Sequence, residues 1–187
     1  MIIISTVISL LSVIYLALCY FGIVRYLKLH MYSTESFCKP YITLPKAEGA
    51  KKITINITSS DKNLDKLKPF INSILDQTVH VDQIAINLPP GKNDIPEYLE
   101  NTGIISFYKL SGAYGSASKY IGPLLREKDG NSIIICLDED TIYGPDFIET
   151  LLEESKKHPD CVIFTKGYNA KKYIDTGKYV DEKSDIV

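Results

Sequence analysis

The sequence predicts an α/β fold, a mostly parallel sheet flanked by helices and preceded by one membrane-crossing helix. Three observations predict it. The 23 residues from Ile2 to Val24 carry no charge. Beyond them, short runs that are apolar throughout alternate with segments of helical spacing, and strands buried on both faces belong to parallel sheets covered by helices. One such run ends in three consecutive carboxylates, Asp138, Glu139 and Asp140, and sheets of this kind hold ligands at the carboxyl ends of their strands.

Bulk properties narrow the function classes. A chain of 187 residues can bury one proper core. The net charge of −2 gives no basic field, so nucleic acid is not expected as a partner. Cys19, Cys38, Cys136 and Cys161 show no C-x-x-C spacing and no nearby histidine pair, which argues against a zinc site or a disulfide framework. Cys19 in the apolar run, and Cys136 and Cys161 in expected core strands, read as small buried hydrophobes.

Residues 1–24 read as a transmembrane anchor. At about 1.5 Å per residue the uncharged run can cross a hydrocarbon layer about 30 Å thick. It has no polar face, unlike an interfacial helix, and no basic stretch precedes it, unlike a signal peptide. Arg25, Lys28 and His30 follow the run, which predicts a single-pass membrane protein with a cytosolic globular domain. In the opposite orientation Asn56-Ile57-Thr58 would be a glycosylation sequon. Residues 25–50, with Pro40, Pro45 and Gly49 and no sustained period, read as a membrane-proximal linker. The globular domain is assigned to residues 51–170 and a polar tail to 171–187.

Within the domain, "KITINIT" at 52–58 predicts the first strand. Leu64, Leu67, Phe70 or Ile71, and Ile74 or Leu75 follow at helical spacing, with Pro69 marking a start or a kink. "QIAINLP" at 83–89 predicts the second strand, "IPEYLEN" a short helix and "IISFYKL" at 104–110 the third strand. "SASKYIGPLLREK" predicts a helix disturbed at Gly122-Pro123, and "SIIICLD" the fourth strand. Pro145 suits a first helical turn, ahead of the apolar stripe Phe147, Ile148, Leu151 and Leu152. "CVIFTKG" at 161–167 predicts a fifth strand.

The carboxylate triplet has two readings on its own terms. One is an acidic turn favourably placed before a helix N-terminus. The other is a cation site, since two aspartates flanking one residue can reach a divalent metal from a single turn, and hard oxygen ligands suit Mg2+ or Mn2+. Lys119 likewise reads either as a solvated helix lysine or as a countercharge.

At these residues the chain resembles a family. Asp138-Glu139-Asp140 looks like the D-x-D motif of nucleotide-sugar glycosyltransferases with the GT-A fold, close to the family 2 type. "INSILDQTVHVDQIAINLP" is similar to the family's S-[IL]-x-x-Q-[ST]-x-x-x-D-x-I-x-[LV] segment. "YGSASKYIGPLLRE" resembles the Y-G-P-A-T-K-L-I-P-x-L block of a subgroup found in bacteria and large viruses, and "LDEDTIYGPDFIETL" its D-D-D-x-x-Y-P-P-x-[FWL]-[IL]-x-x-L block. The order and spacing match over roughly residues 52–168.

The resemblance implies a metal-dependent glycosyltransferase that takes a nucleoside-diphosphate sugar donor and a glycan, lipid or protein acceptor. Asp140 and Asp138 would hold Mn2+ or Mg2+ against the donor diphosphate. Asp138 and Glu139 would face the ribose or metal-bound water, and Lys119 would counter phosphate charge or fix the nucleoside. Ser59 and Asp61 would lie in the loop cradling base and ribose, and Gly112, Gly115 and Ser116 would let backbone approach the donor. The chain departs from the pattern with "TSSDKN" in place of T-x-P-S-R, "GSASK" in place of G-P-A-T-K, and Glu139 as the middle acid. Family members continue with an acceptor segment and, in inverting enzymes, a base. Only the polar tail stands there, with Asp175, Asp181 and Glu182, and no catalytic residue is assigned. The alternative expectation is a truncated, inactive donor-binding or scaffold protein. A nucleotidyltransferase would want a glycine-rich basic loop after the first strand, which "TSSDKN" is not.

Overall fold

In the computed structural model of the protein, the described residues are 2–46, 52–91, 94–100, 102–128, 130–165, 167–168 and 181–182. The expected core is present: a four-stranded, all-parallel sheet flanked by helices. Its strands are β1 (Lys52–Thr58), β2 (Gln83–Leu88), β3 (Ile105–Lys109) and β4 (Ser132–Cys136), in the order β3-β2-β1-β4. The central strands β1 and β2 are buried along nearly their whole length, which is why they read as unbroken apolar runs. Ile55, Ile57, Ile84 and Ile86 are wholly inaccessible and form the middle of the core.

This order places a topological switch at β1. The chain steps outward from β1 to β2 to β3, then returns to pair β4 on the other side of β1. The helices on the two sides of such a switch diverge, opening a crevice beyond the strand ends.

The N-terminal segment begins with α1 (Ile2–Tyr20). Its 18-residue stretch Ile3–Tyr20 has a mean hydropathy of 2.2 and none of it is buried, so this helix is long and apolar enough to cross a membrane. It ends earlier than the uncharged run, because Gly22 adopts φ 71° and turns the chain. Only glycine takes that left-handed conformation without steric cost. Ile23 and Val24 therefore belong to the next helix.

The expected linker is structured where it is described. α2 (Ile23–Met31) and α3 (Thr34–Tyr41) both pack on α5 (Lys68–Leu75). Asn72 of α5 donates to the carbonyls of Leu29 (2.8 Å) and Tyr32 (3.3 Å), closing the end of α2. The buried Tyr41 accepts a hydrogen bond from the Val81 N–H at 2.9 Å, and burial pushes its phenol up to about 12. Two short helices that break at Tyr32-Ser33 leave no long period in the sequence, hence the misreading. Residues 47–51 lie outside the described residues.

α5 starts at Lys68 with Pro69 in its first turn, so Pro69 marks a start and not a kink. The one-turn helices α4 (Asp61–Leu64) and α6 (Glu97–Glu100) flank it in sequence. α7 (Ser118–Arg126), entered by a 3-10 turn at Gly115–Ala117, runs unbroken through Gly122-Pro123. Pro123 has no N–H to give the Lys119 carbonyl four residues back. The Cys136 thiol donates to that carbonyl instead, at 3.1 Å. α8 (Phe147–Lys157) begins two residues after Pro145, not with it. The side-chain carbonyl of Gln77 accepts from the Ile148 N–H at 2.9 Å, supplying from another element the cap that local sequence lacks.

The fifth strand expected at 161–167 is not part of the sheet. Residues 161–165 carry no strand, and Val162 and Phe164 are exposed, as is Cys161. Gly167–Tyr168 instead pairs antiparallel with Asp181–Glu182, as β5 and β6. Of the cysteines, Cys38 is buried and Cys136 half-buried, but Cys19 and Cys161 are exposed. The rest of the expected tail, Asp175 included, lies outside the described residues. Asn56 of the sequon is wholly buried in β1.

Asp82 ties the β2 entrance to β1. Its carboxylate accepts from the Ile53 N–H at 2.9 Å and from Lys46. Burial alone would raise its pKa, but these hydrogen bonds and the charges of Lys46 and His80 outweigh it and hold the carboxyl below its usual 3.8. A depressed carboxylate pKa contributes stability above the unfolded value that disappears as pH falls through the folded one. Asp82→Asn is expected to cost about 1 kcal/mol at neutral pH, with the difference from wild type shrinking as pH falls through the folded pKa in denaturant titrations.

Candidate functional site

At the switch, a cavity of about 620 Å³ opens beyond the carboxyl ends of β1 and β4. Ser59 and Ser60 line it from β1, Gly115 and Ser116 from the 3-10 turn, Lys119 from α7, and Asp138 to Asp140 from the end of β4. All the expected site residues except Asp61 and Gly112 therefore share one concave surface. Gly112 lies outside the lining, and so does Asp61, which is exposed at the start of α4. The first turn of α4 brings Asn63 inward in its place, and Asn63 donates to a Glu139 carboxylate oxygen at 2.8 Å.

The positive partner of the triplet is Lys119. Its side chain is 9% exposed, and its ammonium donates to Asp138 Oδ1 across the mouth between α7 and β4. Burial pushes the lysine pKa down, and it is the largest single influence. The hydrogen bond and charge of Asp138, with Tyr120 beside it, together outweigh that and leave it above 10.5. Lys119 is thus a fixed cation at neutral pH.

The three acids do not share one role. Asp138 is exposed apart from its contact with Lys119, with a side chain 69% accessible. Glu139 is half-buried; its Oε2 is shielded from solvent and has no hydrogen-bond partner among the described residues. A shielded carboxylate oxygen lacking a donor carries a desolvation cost that an incoming hydroxyl or amide N–H would relieve. Asp140 is exposed, and its carboxylate accepts from the neighbouring Thr141 hydroxyl at 3.4 Å, its one hydrogen bond among the described residues.

A brace of long-range contacts fixes the acidic loop. The Asp138 N–H donates to the Tyr143 hydroxyl at 3.0 Å, and the Tyr143 ring packs between Phe70 and Phe147. Tyr143 N–H donates to Ser73 Oγ (3.3 Å), Gln77 Nε2 to the Gly144 carbonyl, and Thr78 N–H to the Pro145 carbonyl (2.9 Å). The S-x-x-x-Q-T residues of the first motif block therefore hold the loop of the third, 60 to 70 positions away.

Beneath the cavity lies a buried polar layer that sequence reading missed. Asn87 donates to the Ile57 carbonyl at 2.9 Å, and Arg126 donates to Asn87 Oδ1 (2.9 Å) and Asn56 Oδ1 (3.1 Å). The guanidinium also stacks 3.7 Å from the centre of the Tyr108 ring. Gly122 lies directly against Asn87, so that α7 and its Lys119 sit close on the sheet. Gly115 takes φ 58° with open space around it, allowing close approach to the cavity floor; Gly112 instead accommodates the Tyr114 ring.

Among the described residues no three His, Cys, Asp or Glu side chains converge as a cage for a metal ion. Asp138 and Asp140 both line the cavity and would be the residues to give oxygen ligands to a Mg2+ or Mn2+ ion, with phosphates and water supplying the rest. Two acids do not make a resident structural metal site, and any cation held here would take most of its ligands from elsewhere.

Compared with protein-family models and with curated proteins, the chain matches none. Its functional reading rests on the cavity and on the motif blocks that meet there.

Proposed function

We propose that the chain is a membrane-anchored, GT-A-like glycosyltransferase domain that binds a nucleoside-diphosphate sugar in the switch-point cavity. The observation that supports this most is convergence: three sequence blocks resembling that family, far apart in the chain, meet around one cleft, with Lys119 and the acidic triplet at its mouth. Asp138 and Asp140 would share a divalent cation with the diphosphate, and that ion, when bound, neutralises the leaving group. Lys119 adds a fixed positive charge beside the phosphates. The unpartnered Glu139 Oε2 accepts from a ribose or sugar hydroxyl, with Asn63 holding its other oxygen in place. Ser59 and Ser60 face the nucleoside from the end of β1. α1 would anchor the chain, and the basic residues Arg25, Lys28 and His30 behind it favour the cytosolic side for the domain.

A second reading is donor binding without transfer. The cavity is lined by no acid other than Asp138, Glu139 and Asp140, so no separate carboxylate stands ready as a base among the described residues. Incubating the full chain in detergent with a panel of nucleotide sugars and Mn2+ separates the two. Released nucleoside diphosphate above the protein-free rate supports the transferase; saturable binding with no release supports the second reading; neither outcome with any donor overturns both.

A further inference from the structure

The junction between α1 and the globular domain carries a second constellation, remote in role from the acidic cavity. Two crevices, of about 380 and 270 Å³, flank Arg25 on α2. The larger is walled by Phe21, Ile23, Tyr26 and Leu29 from the elbow and by Ile142 from the loop after Asp140. The smaller brings Lys28 and Asp76 to the same guanidinium. Arg25 Nε donates to Asp76 at 2.7 Å, yet its Nη2 is shielded from solvent with no hydrogen-bond partner among the described residues. Lys28 lies over the Tyr32 ring, 6.0 Å from its centre. Phe21, Ile23 and Tyr26 are all largely exposed.

The covalent path fixes what lies nearby. Only Phe21 and Gly22 separate α1 from α2, so if α1 spans a bilayer, Arg25 and Lys28 sit at headgroup depth and the exposed aromatic side chains at the interface they favour. An orphaned guanidinium N–H, a lysine and an apolar wall at that depth match a phosphate with acyl chains attached. We propose that this junction binds one anionic phospholipid, its phosphate on Arg25 and Lys28 and its upper acyl carbons against Tyr26, Ile23 and Ile142. The lipid touches the same loop that carries Asp140, so it also holds the mouth of the acidic cavity near the membrane surface. The inference rests on α1 being the membrane anchor, and not on the donor chemistry.

The chain contains no tryptophan, so Tyr26→Trp gives a single fluorescent reporter on the crevice wall. The full-length variant is reconstituted in phosphatidylcholine nanodiscs containing a minor fraction of brominated phosphatidylglycerol or brominated phosphatidylcholine. Asp76 cancels one of the two positive charges, and the remaining one predicts about fivefold stronger quenching by the anionic lipid at equal mole fraction. That quenching should saturate at low mole fraction, and bath glycerol phosphate should not relieve it. Lys28→Gln, which breaks no ion pair in the fold, should bring the two lipids to parity; Arg25→Gln should do the same if it folds. Equal quenching by both lipids, quenching that rises linearly without saturation, or relief by glycerol phosphate overturns the site. Alkaline extraction of the protein from the discs would instead overturn the anchor itself.

Discussion

Gly122→Ala is expected to lower the melting temperature by about 10 °C, although alanine ordinarily stabilises a helix interior by about 1 kcal/mol over glycine. An added Cβ would stand 2.1 Å from Asn87 Oδ1 and 3.0 Å from Arg126 Nη1. The Asn87 side chain cannot swing aside cheaply, because it is wholly buried and bonded at both ends, to Ile57 and to Arg126. Either α7 lifts from the sheet or the buried polar layer breaks. Overpacking of this kind and an orphaned buried amide together cost about 2–4 kcal/mol. Gly130→Ala is the control: nothing lies within 4 Å of its added Cβ, and no loss is expected. Calorimetric melting of both variants checks the contrast. An unchanged or raised melting temperature for Gly122→Ala would mean that α7 does not pack as described.

Lys119→Met is expected to weaken nucleoside-diphosphate binding by about 10- to 100-fold, the range of a lost charge-assisted hydrogen bond in a partly shielded site. The fold should tolerate the change. Methionine fills the buried channel of the lysine stem, and the abandoned Asp138 is exposed enough to be solvated. Because the raised lysine pKa lies above 10.5, its contribution is complete below that value and is lost only as pH rises through the folded value. Wild-type affinity should therefore show no step from this residue between about pH 6 and 9. Equilibrium binding across that window, for wild type and variant, reads both effects at once.

How much of this was legible in the sequence follows from which forces act locally. The four strands of the sheet were legible to within two residues at each end, because each is short, apolar and bounded by turn residues. The meeting of Lys119 with Asp138 was legible only through the order of the motif blocks, since nothing near either residue in the chain announces the other. α2 and α3 were illegible because eight or nine residues give too few turns to establish a period, and their stability comes from packing on α5. Residues 161–165 have strand-like composition, yet among the described residues no strand pairs with them: β4 is the edge of the sheet, and Val162 and Phe164 stay in solvent. Composition records a preference, and burial decides it. Asp61 and Asn63 show the same limit at the site. Both lie in a polar loop, and only the turn of α4 determines which of them reaches Glu139. Arg126 and Asn87 were missed because single polar residues inside amphipathic segments look like surface until the fold buries them.

In the proposed function, the acidic end of β4 and a divalent cation together grip a diphosphate. Titration calorimetry of the full chain with a nucleoside diphosphate, with Mn2+ and then with chelator, tests it most directly, using Asp140→Ala as the matched variant. Asp140 is exposed, and among the described residues its carboxylate is bonded to its neighbour alone, so the variant should fold as wild type does. Saturable heat is expected in Mn2+, with loss of that heat on chelation and no manganese response in Asp140→Ala. Binding of equal strength with chelator present, or in the variant, would contradict it.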